Sequence, residues 1–156
     1  MTVSNERTAA PLRVSVRRLS HAAGLPFPSP ASSGSAGLDL RAALTAPLEI
    51  RPMQRLLVPT GLVIGIPAGY EGQVRPRSGW AWREGLTILN APGTIDSDFR
   101  GELQVLLVHL GERLVTIERG DRIAQLVIAP MVRIEWEERD PEGSERGSGG
   151  FGSTGR

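Results

Sequence analysis

No cysteine occurs in the 156 residues, which excludes disulfides, thiolate nucleophiles and cysteine-ligated zinc. With only two histidines, His21 and His109, a histidine-rich metal site is excluded too, so any metal must be held by oxygen atoms. Lysine is also missing. All 18 basic residues are arginine, and against 17 acidic residues they leave a net charge of +1. A balance so close to zero gives the molecule as a whole no strong attraction to nucleic acid or membrane, and a coding bias accounts for most of the arginines. No apolar run reaches the roughly 18 residues of a spanning helix. The opening MTVSNERTAAPLR has no basic start followed by an apolar stretch, so no signal peptide is expected and the expected location is cytoplasmic.

What is abundant points to short strands. Nineteen glycines and twelve prolines favour many tight turns, while 40% hydrophobic residues suffice for one core. Leu12, Val14 and Val16 alternate with polar residues, the period of a half-buried strand, so the folded domain is expected to begin near residue 11, after a flexible segment 1–10. Pro26, Pro28 and Pro30 make residues 22–37 an exposed loop with room for a function. Nine apolar runs follow, at Leu48–Ile50, Leu56–Val58, Leu62–Ile66, Gln73–Arg75, Leu86–Leu89, Leu103–Leu110, Leu114–Ile117, Ile123–Ile128 and Val132–Trp136. Their spacing is that of an all-β sandwich, jelly roll or barrel. One helix is expected, in Ser78–Gly85, with Ser78 capping its start and Gly85 ending it. From residue 138 to 156 the chain has no aliphatic residue and reads as a flexible arm, in which Phe151 has nothing local to pack on and could close over a flat ligand.

Four segments have the right residue types for chemistry. Arg75-Pro76-Arg77-Ser78-Gly79 is either an anion site, with a guanidinium and open backbone N–H groups for phosphate oxygens, or a solvated turn. Asn90 to Glu102 reads as a hairpin-like excursion. One of its aspartates could activate a water while extended backbone reads a base edge, or it is an Asx-rich turn. Asp39, between apolar neighbours in AGLDLRA, is either satisfied by backbone N–H groups or holds metal-bound waters. Gly120 to Leu126 is a turn leading into a strand.

Their order along the chain is more specific than any one of them. AGLDLRA, RPRSGWA, NAPGTIDSDFRGE, GDRIAQLVI and RGSGGFGSTG together resemble the five motifs of the homotrimeric dUTPase family, over roughly residues 11–156. The resemblance implies a jelly-roll-like β-barrel over residues 11–137 and hydrolysis of dUTP to dUMP and pyrophosphate with Mg2+. It also implies a homotrimer whose sites each combine the first, second and fourth motifs of one subunit, the third of a neighbour and the arm of the remaining one. Asp96 matches the aspartate that activates water for attack on the α-phosphate. Arg77, Ser78, Gly79 and Gln125 match the phosphate-binding positions, and Asp39 the first-motif acid near the metal-bound waters. Asn90, Gly93, Thr94, Ile95 and Gln104 match the segment that receives deoxyuridine. Phe99 stands where the family usually has tyrosine against the deoxyribose; ring packing survives the change, and any bond made by the phenol does not. Trp80 replaces a commoner leucine and is expected to pack beneath the phosphate motif. In the arm, Arg146 matches an arginine at the γ-phosphate and Phe151 the ring stacked on uracil. Mg2+ is expected on the phosphates and waters with no direct protein ligand. Three other readings have their own tests: a dCTP deaminase of the same fold, an RNA-binding module carried by RGSGGFG, and a regulator that binds nucleotide without turnover.

Overall fold

The computed structural model describes residues 11–144 and 147–148. Eleven strands occur among them: β1 Ser15–Arg18, β2 Leu38–Arg41, β3 Leu48–Ile50, β4 Arg55–Pro59, β5 Leu62–Gly65, β6 Tyr70–Arg75, β7 Leu86–Ile88, β8 Gly93–Ile95, β9 Gln104–His109, β10 Val115–Ile117 and β11 Arg122–Pro130. The one α-helix, α1, spans Ser78–Glu84, and a 3-10 turn spans Ser20–Ala22. The strands form a four-stranded sheet in the order β2-β11-β6-β8, a three-stranded sheet β4-β9-β7, and the pairs β1-β5 and β3-β10. Every strand pairing is antiparallel.

Period-two sequence becomes two-faced strands. In β9, Val105, Leu107 and His109 are buried while Gln104 stays outside. The core gathers Leu40, Ile50, Val58, Val105, Leu107, Ile117, Ile123 and Leu126, and each fully buried aliphatic side chain contributes about 1.5–3 kcal/mol relative to exposure. Turn chemistry closes the elements. Gly85 ends α1 in the left-handed region at φ 68°, where any side chain would be strained and a Cβ would lie 2.4 Å from the Gly111 nitrogen. Buried His109 ties down the same end, its Nε2 at 3.0 Å from the Glu84 carbonyl oxygen.

Four expectations are corrected. Ser78 is the first helical residue and not the cap; Arg77 holds that position in extended backbone and makes no side-chain cap bond. The excursion Asn90 to Glu102 is not hairpin-like in its pairing, because β7 before it pairs with β9 while β8 within it pairs with β6. The excursion leaves one sheet, adds an edge to the other, and returns. The apolar face of the first strand is covered only in part: Val14 packs against the core, while Leu12 and Val16 are 43% and 42% exposed and line an open apolar groove of about 340 Å3 with Phe27, Ile64 and Ile128. The last apolar run, Val132–Trp136, forms no strand, and Val132, Ile134 and Trp136 stand in solvent at 87%, 64% and 92% exposure. Period-two patterning marks a face to be buried and does not say on which chain the covering surface lies.

Candidate active site

The four-stranded sheet has one face in the core and one turned outward, and register decides what the outer face displays. On β2, β11 and β6 the cross-strand partners are Asp39, Gln125 and Arg75, one on each strand. Direct partners in an antiparallel ladder project to the same side, so a carboxylate, an amide and a guanidinium stand in one row. Leu40, Leu126 and Val74, one residue along each strand, point the other way and are buried. That row forms part of the wall of a cavity of about 410 Å3, completed by Arg77, Ser78 and Gly79 where β6 runs into α1, and by Gly37 at the end of the proline-rich loop.

The groups around the cavity hold one another. Arg77 Nε lies 3.0 Å from one Asp39 carboxylate oxygen, and Arg122 Nη1 donates to the other at 3.2 Å. Arg77 Nη1 also donates to the Arg122 carbonyl at 3.2 Å. Asp39 is thus met by two guanidinium groups rather than by the backbone N–H groups expected for a lone acid between apolar neighbours. Gln125 Nε2 donates to the Pro76 carbonyl at 2.9 Å, which leaves its Oε1 towards Gly37. A Cβ on Gly37 would lie 2.0 Å from that oxygen, so only glycine lets the loop come so close. Trp80 is half-buried and packs against the core, as expected for a residue beneath this segment.

The remaining candidates lie apart from this cavity. Asn90, Thr94, Asp96, Phe99 and Gln104 are exposed, Ile95 is half-buried, Gly93 is buried, and none of these seven lines the cavity. Their backbone is nevertheless tightly held. The Phe99 N–H donates to the Asp96 carbonyl at 3.1 Å, and Arg100 Nη1 donates to the carbonyls of Ser97 and Phe99, both at 2.7 Å. The Phe99 ring lies on Gly101, where a Cβ would sit 2.6 Å from the ring edge. At the far root of the excursion, Glu102 accepts the Gly61 N–H at 2.7 Å and meets His21 Nε2 at 2.8 Å. Arg146 and Phe151 lie outside the described residues.

Arg122, Arg100 and Glu102 had no role in the sequence reading. Arg122 stood within a quoted motif, but only the pairing of β2 with β11 brings it to Asp39. Among the described residues no three carboxylate or histidine side chains converge as a metal cage. Among the described residues Asp39 is the only carboxylate lining the cavity. A hard divalent cation fits such a place only through water and through oxygens that a ligand brings with it.

Comparison with known proteins shows the family. The family model described as dUTPase matches residues 24–155. The deoxyuridine 5'-triphosphate nucleotidohydrolase of Aquifex aeolicus is 65% identical over 120 residues, covering 77% of this chain and 80% of that protein. The protein of the same name from a Wolbachia of Brugia malayi is 52% identical over 148 residues, 93% of this chain and 95% of that one. A solved structure of the Staphylococcus bacteriophage 80alpha dUTPase with dUpNHpp superposes with a TM-score of 0.79 at 28% identity, over 92% of this chain and 99% of that chain. With the five motifs in order, a family match across most of its length and relatives alike over nearly their whole length, this chain belongs to the dUTPase family.

Proposed function

We propose that the protein hydrolyses dUTP to dUMP and pyrophosphate in sites completed by neighbouring subunits of a trimer. One observation carries this reading. The phosphate-type residues surround a cavity whose one carboxylate among the described residues, Asp39, is tied to Arg77 and Arg122, while Asp96, Asn90, Thr94, Phe99 and Gln104 stand exposed elsewhere on the same chain. A second subunit that presents its 90–101 excursion to this cavity would complete the site. The uncovered apolar residues Val132, Ile134 and Trp136 support an assembly that buries them.

In this reading the triphosphate enters the cavity between Arg77 and the loop ending at Gly37, with Ser78 and the Gly79 N–H on its oxygens and Gln125 beside them. Arg77 gives charge-assisted bonds, and its pairing with Asp39 fixes its direction before substrate arrives. Mg2+ would neutralise charge on the triphosphate, and Asp39 would hold one of its waters. Asp96 of the neighbouring subunit takes a proton from a water aligned with the α-phosphorus, opposite the departing pyrophosphate. Main-chain groups around Gly93, Thr94 and Ile95, with the Asn90 side chain and Gln104, receive the uracil edge. Phe99 packs on the deoxyribose, where a 2'-hydroxyl would clash; its ring is positioned by Gly101 without help from a phenol. The arm from residue 138 supplies Arg146 at the γ-phosphate and Phe151 over the uracil, which excludes water from the closed site.

The test is pyrophosphate release with Mg2+ from dUTP, dTTP, dCTP and UTP, by the wild-type protein and by Asp96→Asn. Cleavage of dUTP alone, reduced about 10³-fold in Asp96→Asn with dUTP binding retained, is the expected result. Ammonia release from dCTP, with formation of a deoxyuridine nucleotide, would favour the deaminase reading. Tight binding of dUTP without cleavage would favour the regulator, and retention of RNA that weakens with salt the RNA-binding module.

A further inference from the structure

Arg75 lines the same cavity, and its surroundings differ from those of the other arginines there. Arg77 and Arg122 both pair with Asp39, whereas no carboxylate lies within ion-pair distance of Arg75 among the described residues. Of the charged side chains lining the cavity, the Arg77 guanidinium and the Asp39 carboxylate offset one another, so Arg75 supplies the excess positive charge.

Its guanidinium is nevertheless held. Glu71, Gln73 and Arg75 occupy alternate positions of β6 and project from the same face of the sheet. Gln73 Nε2 donates to Glu71 Oε1 at 2.7 Å, and Arg75 Nε donates to Gln73 Oε1 at 3.1 Å, with Arg75 Nη2 donating to the same oxygen. Only one orientation of the Gln73 amide serves both neighbours, with nitrogen towards the acid and oxygen towards the guanidinium. Glu71 and Gln73 are half-buried, which limits their freedom to turn away. The relay engages one edge of the guanidinium and leaves Nη1 without a partner among the described residues. The row Asp39-Gln125-Arg75 puts this group on the opposite side of Gln125 from the Asp39 ion pairs.

We propose that Arg75 is a further substrate-binding residue, gripping the phosphate chain opposite Arg77, with Gln73 and Glu71 as the positioning residues that aim it. This rests on the triphosphate-in-cavity reading above. A guanidinium already held in direction loses less freedom on binding, and an unpaired charge requires no ion pair to be broken first. Because the contact exists in the bound state and persists through the reaction, it lowers KM and leaves kcat unchanged.

The test uses the full-length protein, with its mass in solution measured for every variant. Inorganic tripolyphosphate is titrated calorimetrically into the wild type, Arg75→Gln and Arg75→Lys, and kcat and KM for dUTP are measured at low and high salt. Arg75→Gln is expected to weaken tripolyphosphate binding and raise KM about tenfold at low salt, with kcat within about twofold and a shallower salt dependence. Arg75→Lys keeps the charge but loses the planar fork, so a loss of about threefold is expected. Wild-type affinity for tripolyphosphate in either variant overturns the proposal, as does a fall in kcat at unchanged KM. If the wild type binds tripolyphosphate but does not turn over dUTP, the hydrolase reading fails while the comparison of variants still decides the role of Arg75.

Discussion

The cavity and the 90–101 excursion are built to opposite plans. Around the cavity, side chains hold side chains: Asp39 meets two arginines, Gln125 reaches the Pro76 carbonyl, and Gln73 steadies Arg75. In the excursion the backbone is pinned by Arg100 and by the turn from Asp96 to Phe99, while the side chains that matter stand exposed. A binding half must oppose charges at fixed separations, and mutual ion pairs provide that. In the proposed shared site, a reactive half must present a carboxylate and a ring to a neighbouring subunit, which needs a rigid backbone and a free surface. On the function proposed above, the difference means that one subunit carries two halves of different sites.

The strongest way to break this comparison is to mix two disabled proteins. Asp96→Asn and Arg77→Gln are each expected to be nearly inactive. Unfolding and refolding them together at equal amounts should restore about a quarter of wild-type activity if each site draws its base and its phosphate arginine from different subunits. No recovery in the pyrophosphate assay would mean that each chain completes its own site. Next in size is the assembly itself. In the double variant Ile134→Arg and Trp136→Arg, loss of two apolar contacts should weaken subunit association roughly 10²-fold or more, read as a shift of mass towards the monomer with activity falling in parallel. A smaller effect sharpens the cavity side. Gly37→Ala pushes a methyl group against Gln125 Oε1, so KM for dUTP should rise about three- to tenfold while the melting temperature moves by only a few degrees.

Much of the fold was legible because strand periodicity is local. Leu48–Ile50 was located to the residue, the runs at Leu56–Val58 and Leu103–Leu110 became β4 and β9, and the helix ended at Gly85 as its left-handed backbone requires. The β2 strand was absent from the expected runs because it holds only Leu38 and Leu40 around Asp39, too short a pattern to stand out. The excursion at residues 90–102 reads as hairpin-like because nothing within it indicates that its strand pairs with distant β6. For the site, residue types marked only the Arg77 segment as an anion site, and the motif resemblance added Asp39 and Gln125; all three line one cavity. Arg122 and Arg75 went unassigned, since a solvated arginine and a positioned one read alike along a chain.

The sequence by itself determined the all-β class, the turn positions, the absence of thiol and histidine metal chemistry, and the family, through five motifs in order. These depend on residue type and on neighbours a few positions away. Only the tertiary structure decided that Asp39, Gln125 and Arg75 form one row, that Arg122 shares Asp39 with Arg77, and that Asp96 does not line the cavity they form. Those facts follow from strand register, in which a slip of one residue would turn the row into the core. Register is set by contacts between segments far apart in the chain, and no local pattern carries it.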